Sequence, residues 1–226
     1  MMRSYASLSI YFYLLLITFL SGCAHSWISK MKVEEIRASI CEQKPKNIQI
    51  EGSLWMKVDS PDAKGQFPAE IRVIRKNDIL LEVTNLLGGT EAVVRLKNSV
   101  LEITRGTRVK KLRSKDGVWA GIPVKWAALL MRGEVPCVVG LSEVPGRTDQ
   151  RVFSNQNETY IYEFRKWNGK PWVEKVIWIP HQSPKDQMVI IREQPEDKTG
   201  DPKIISIESR RGNVKLRWKK RKVLSI

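Results

Sequence analysis

Two rhythms of apolar and polar residues share this chain. Over residues 27–41 (WISKMKVEEIRASIC), Val33, Ile36 and Ile40 fall at helical spacing while Glu34, Glu35 and Arg37 take the other side. This predicts an amphipathic helix, ended by Pro45. From Ile48 the spacing drops to two. Residues 48–58 alternate as a strand, and further strands are predicted at 67–75, 79–83, 92–96 and 100–103. The breaks between them carry turn chemistry: Ser60-Pro61-Asp62, Lys64-Gly65, Lys76-Asn77-Asp78 and Gly88-Gly89. Ile122-Pro123 opens a second helix over 124–131 (VKWAALLM), closed by Gly133 and Pro136. Strand spacing then returns at 159–164, 172–179, 188–192, 203–208 and 213–218, with Lys198 to Asp201 expected at a loop tip. Short strands in turn-separated series, with few helices among them, predict a mainly β chain with helices (α+β), an antiparallel meander closing toward a barrel.

The first segment has a different logic. Arg3 precedes an apolar run at 8–20 (LSIYFYLLLITFL), which is shorter than the roughly 20 residues a membrane-spanning helix needs. The run ends in Leu20-Ser21-Gly22-Cys23, which has the form of a bacterial lipobox: an aliphatic residue, two small residues and a cysteine whose thiolate takes the lipid. Residues 1–22 are therefore expected to be a removed signal peptide. Residues 23–226 are expected to form one domain, anchored through acylated Cys23. Ala24 stands where an aspartate would retain an enterobacterial lipoprotein in the inner membrane, which points to the outer membrane.

Composition narrows the chemistry. The chain has 226 residues, 42% of them hydrophobic, enough for a core without metals or disulfides. Two histidines, His25 and His181, lack cysteine or carboxylate neighbours at ligand spacing, so no metal site is expected. Gly140-Leu141-Ser142-Glu143-Val144 lacks the second glycine of a nucleophile elbow, and no nucleophile–base pair can be assembled. Neither an enzyme nor a cofactor is expected. With Cys23 acylated, Cys41 and Cys137 are left in an oxidising compartment, and the sequence leaves open whether they pair or stay as two buried thiols.

The formal charge is +15, with Arg210, Arg211, Lys215, Arg217, Lys219, Lys220, Arg221 and Lys222 crowded near the C-terminus. An exported lipoprotein meets little nucleic acid. Three readings remain for this run: anionic headgroups, an acidic carrier protein, or a strand edge guarded against pairing.

The most informative stretch is residues 81–91, LEVTNLLGGTE. Leu81 and Val83 belong to a strand, Gly88 and Gly89 permit a reversal, and Leu86 and Leu87 fall at the hairpin tip. Hairpin tips are normally polar, so two leucines there either enter lipid or a partner, or fold back as a plug.

These residues resemble the Thr-Asn-Pro-Leu-Gly-Ser-Thr-Glu loop of the LolB family of outer-membrane lipoprotein receptors. Thr84, Asn85, Leu87, Gly88, Thr90 and Glu91 match; Leu86 replaces the proline and Gly89 the serine. Gly121-Ile122-Pro123-Val124, with Trp126 and Leu129-Leu130, is similar to the family's Gly-Met-Pro-Ile-Pro-Leu stretch and following helix. The lipobox, the first helix, Gly52 in the first strand and the strand from Val214 to Trp218 also fit.

The resemblance implies an incomplete antiparallel barrel closed by helices around an apolar cavity. Its transient ligand is the acyl chains of client lipoproteins, taken from a LolA-like periplasmic carrier and inserted into membrane lipid. It implies a monomer on the outer membrane, facing the periplasm, with Leu87 as the membrane-inserting residue and Leu86 as a second lipid-facing one. Trp55, Trp126 and Leu129 are the candidates for the cavity wall, and Trp27 for the membrane interface. The alternative is a LolB-like envelope lipoprotein that binds another lipid or acts as a structural or interaction protein.

Overall fold

The computed structural model describes residues 27–41, 48–61, 63–75, 78–113, 117–146, 150–195 and 200–225. Cys23, His25 and the whole segment 1–26 lie outside them, as do Pro45 and Lys198. Strands β1 (Ile48–Ser60), β2 (Ala63–Arg75), β3 (Asp78–Thr84), β4 (Thr90–Lys97), β5 (Val100–Arg105) and β6 (Arg108–Arg113) run as one meander. A second meander holds β9 (Ser142–Val144), β10 (Gln150–Ser154), β11 (Glu158–Trp167), β12 (Lys170–Pro180), β13 (Met188–Arg192), β14 (Ile204–Ser209) and β15 (Gly212–Ser225). Between the two lie a small ladder of β7 (Val118–Trp119) with β8 (Ile122–Pro123), and helix α2 (Val124–Met131). Helix α1 (Val33–Cys41) precedes β1, after a short 3-10 turn at Trp27–Lys30.

The described strands make one open antiparallel sheet of 13 strands, with β6 at one edge and β9 at the other. The first and last strands, β1 and β15, pair in its middle and join the two meanders. Period-two patterning decides which face is covered. Leu54, Met56 and Val58 on β1, Leu81 and Val83 on β3, and Leu216 and Trp218 on β15 all point to one buried face. Both helices pack there. Six of the eight residues of α2 are buried, and α1 buries Ile36 and Ile40.

The predicted strands are present, and the structure adds β6, the two-residue strands β7 and β8, β9 and β10. β6 escapes the apolar pattern because Arg108, Lys110, Lys111 and Arg113 occupy four of its six positions. The predicted helix at 27–41 is α-helical only from Val33, with a separate 3-10 turn at Trp27–Lys30. The Met31 carbonyl, which a continuous helix would use, accepts a hydrogen bond from the Arg151 guanidinium instead.

The reading of the C-terminal basic run as an edge guard is corrected: β15 is flanked by β1 and β14, and β6 is the charged edge strand. Cys41 and Cys137 form a disulfide, Cα to Cα 4.8 Å, tying the end of α1 to the chain beyond α2.

The far end of α2 is held by charge. Arg221 donates to the Arg132 carbonyl, and Arg132 pairs with Glu134. Nearby, Arg192 donates to the Val173 carbonyl at 3.1 Å and lies 4.5 Å from the Trp172 ring. Burial pulls its guanidinium down to about 10.

Candidate functional site

The β3–β4 hairpin ends in a tip built by one side chain. Asn85 Oδ1 accepts from the Leu87 amide at 3.0 Å and from the Gly89 amide at 2.9 Å. The Asn85 amide donates to the Gly89 carbonyl at 2.8 Å, and the Gly88 amide to the Asn85 carbonyl at 3.1 Å. Gly88 takes φ +86°, a left-handed conformation that only glycine adopts without strain. Below the tip the register shifts between Val83 and Thr84, and the Thr90 hydroxyl donates to Glu82 at 2.9 Å.

This frame holds Leu86 79% exposed and Leu87 97% exposed. Neither folds back onto the sheet. Two apolar side chains are thus presented on an ordered scaffold, the arrangement that gains most from leaving water.

Asn85→Ala removes both bonds from the side chain to the tip amides. The expected cost is local, about 1 kcal/mol per bond. It should be read as faster hydrogen exchange at Leu87 and Gly89 with little change in global stability.

The same hairpin walls a pocket. Val83, Glu91 and Ala92 line one side of a cavity of about 190 Å³. Its remaining surface includes Met56, Val58, Phe67, Ile103 and Trp119, with the exposed side chains Lys64 and Arg105 at its rim. The floor is the β7–β8 turn, which brings Trp119 and Ala120 beneath the inner face of β1 to β5. A second pocket of about 260 Å³ lies on the other side of that turn, where Lys125, Trp178 and Arg211 contribute. There the carboxyl of Asp186 is held below the usual range by hydrogen bonds from Arg211 at 2.9 Å and Ser183 at 3.0 Å.

The three cavity candidates do not come together. Trp55 is corrected outright. Leu54 and Met56 face inward, so Trp55 stands on the outer face, with Lys219 Nζ 4.2 Å from its ring centroid. Trp126 is 7% exposed and packs edge-on against Trp178 at 4.7 Å and against Tyr160 at 6.1 Å. Leu129 is half-buried against the core. Both belong to the filled half of the inner face, where burial pushes the phenols of Tyr160 and Tyr162 well above their ordinary range.

The tryptophan that does line the pocket under the hairpin is Trp119, two residues before the Gly121-Ile122-Pro123 stretch. Its position before that turn was the available signal. Among the described residues no cluster of three or more His, Cys, Asp or Glu could hold a metal. His181 is tied into its loop by Thr159 at 2.8 Å and the Gln156 carbonyl at 3.1 Å.

No protein-family profile matches the sequence, and no curated protein matches it. Solved structures share its fold. A putative outer-membrane lipoprotein-sorting protein domain from Vibrio parahaemolyticus matches with TM-score 0.54 and 9% identity, over 86% of this chain and 93% of that one. A DUF1329 family protein from Desulfovibrio piger matches with TM-score 0.50 and 8% identity, over 83% and 90%. A LolA superfamily protein from Nitrosomonas europaea has TM-score 0.42 and 12% identity, over 86% and 92%. For the first two the likeness is one of fold alone: a mainly β, open antiparallel sheet with two helices.

Proposed function

We propose that this chain is a lipoprotein- and lipid-binding protein of the bacterial envelope. More specifically, we read it as an outer-membrane receptor that accepts acylated proteins from a LolA-like soluble carrier and inserts them into the bilayer. The observation that carries the reading is Leu87, almost fully exposed on a hairpin whose base walls a pocket of about 190 Å³. The fold it shares with a putative lipoprotein-sorting domain, the lipobox ending in Cys23 and a disulfide suited to an oxidising compartment support it.

No covalent step is involved. The pocket of about 190 Å³ has room for roughly six methylene-sized groups. Burying these contributes about 5 kcal/mol before ordering costs. Such a hold is weak, and a bilayer that accepts the whole acyl chain wins the competition. Delivery then needs only a path, and two leucines entering the headgroup region bring the pocket mouth to the membrane. Function as a monomer suffices for this.

The test is a transfer assay. A labelled lipoprotein loaded on the soluble carrier is mixed with liposomes and the domain, its Cys23 replaced to keep it soluble. The wild-type domain is expected to deliver the lipoprotein. Leu87→Glu should lower delivery about tenfold or more, because a carboxylate cannot enter hydrocarbon, while binding of an acyl probe survives. Equal delivery by both would sink the mechanism.

The filled half of the inner face, where Trp126, Trp178 and Tyr160 pack together, favours a second reading: an envelope interaction lipoprotein with no lipid cargo. Absence of acyl-probe binding would select it.

A further inference from the structure

β6 ends the sheet, and among the described residues no strand lies on its other side. An edge strand turns part of its backbone amides and carbonyls outward, a template for one more strand. The opposite edge, β9, offers only three residues, and Arg151 of β10 bonds its Glu143 at 2.8 Å. β6 offers six, and all but Leu112 are exposed. At its end the Arg113 carbonyl accepts from the Gly117 amide at 2.7 Å, where the chain leaves for β7.

Charge and shape decide what kind of strand fits. Residues 100–113, the β5–β6 hairpin, carry five cations and one carboxylate. That carboxylate, Glu102, is bonded to Lys111 at 3.1 Å. Alternation puts Arg108 on one face of the sheet and Lys111 and Arg113 on the other, so an added strand meets positive charge on both faces. A second copy of β6 would set cations against cations and is repelled, whereas a strand carrying carboxylates is attracted. A cavity of about 230 Å³ also opens beside β6, with Ile103, Val109 and Trp119 forming an apolar wall. Pockets of this kind take alternate side chains when a peptide joins a sheet edge.

We propose that β6 receives an extended, acidic polypeptide segment as a further strand, and that this segment is the part of a cargo lipoprotein next to its acyl group. The cavity beside β6 and the pocket under the leucine hairpin share Ile103, Arg105 and Trp119. An acyl chain in that pocket therefore leaves its polypeptide next to the open edge. Backbone pairing tolerates most sequences, and the cations add a preference for acidic ones. The assignment rests on the lipid-binding reading above and adds a grip on the protein part of the cargo. A small pocket holds an acyl chain weakly, and two linked contacts bind more tightly than either alone.

Three probes test it: a peptide of alternating Asp and Val, the same peptide with Lys for Asp, and the acidic peptide carrying a dodecanoyl group. Calorimetry gives their affinities for the domain, and hydrogen exchange reports the β6 amides. The acidic peptide is expected to bind about tenfold or more tighter than the basic one and to slow exchange along β6. Arg108→Glu with Arg113→Glu should reverse the preference, a gain that a misfolded variant cannot show. The dodecanoyl peptide should bind about tenfold or more tighter than the peptide or dodecanoate alone.

Equal affinities for the acidic and basic peptides would overturn the inference. Binding without protection of β6 would overturn it too, by showing contact through charge alone. A dodecanoyl peptide no tighter than its separate parts would rule out the cargo as the source of the strand. Self-association of the domain with β6 protected would make the edge an interface between copies instead. Failure of dodecanoate to bind, with β6 still protected by the acidic peptide, would sink the lipid-binding reading and leave the strand addition standing.

Discussion

Serine at both 41 and 137 is expected to cost this domain about 4 kcal/mol of stability. The Cys41–Cys137 disulfide closes a loop of 96 residues, and closing a loop near 100 residues removes about 4.7 kcal/mol of unfolded-chain freedom. That loop contains the whole first meander, the crossover and α2. A helix of nine residues such as α1 is marginal in water by itself. Without the covalent tie it depends on Ile36 and Ile40 in the core and on Arg37, which donates to the Leu141 carbonyl at 2.6 Å and lies 5.4 Å from the Phe153 ring centroid. Denaturant unfolding of the wild type, with and without reductant, should bracket the double variant, and α1 amides should exchange fastest once the bond is gone. A loss under about 1 kcal/mol would mean that the unfolded chain already keeps these segments together.

Gly52→Ala should be nearly as damaging, at about 3 kcal/mol or more. A methyl added there would lie 2.1 Å from the Lys220 carbonyl oxygen and 3.1 Å from the Arg221 Cα. Both are backbone atoms, so no rotamer change relieves the clash. The position exists because the β1–β15 register slips between Ser53 and Leu54, which presses the two backbones together. The β1–β15 ladder is the seam between the two meanders, so strain there is not confined to one hairpin. Gly88→Ala is the control. Its Cβ meets nothing within 4 Å, and only the left-handed φ is penalised, at about 1–2 kcal/mol. Matching urea midpoints for the two variants would show that the seam can open without loss.

The sequence made the strands legible where one side of the alternation is aliphatic, as in Leu81, Val83, Val94 and Leu96. It hid β6, where lysine and arginine stand on both faces, and β10, where Phe153 is the one fully buried residue of a short strand. The exposed leucine tip was legible because Asn85, Gly88 and the paired leucines are local signals that need no tertiary contact. The pocket was not. Whether Trp55 faces in or out depends on a one-residue choice of register, and Trp119 reaches the pocket only because a turn far along the chain passes beneath β1 to β5. Charge was legible as quantity but not as place: the run near the C-terminus drew attention, yet its strand, β15, lies in the middle of the sheet.

Pairing β1 with β15 also sets the order in which the molecule can be assembled. Ile48 finds its partner at Ser225, across almost the whole described chain. Each meander can form from neighbours as it is made, but the middle of the sheet stays an unpaired edge until β15 has been synthesised. A topology with its most distant contact at its centre folds slowly. It also leaves two sticky half-sheets in the interval. Such a chain is suited to being kept extended by other proteins until it is complete, and it should refold in isolation over a longer time than either meander needs to collapse.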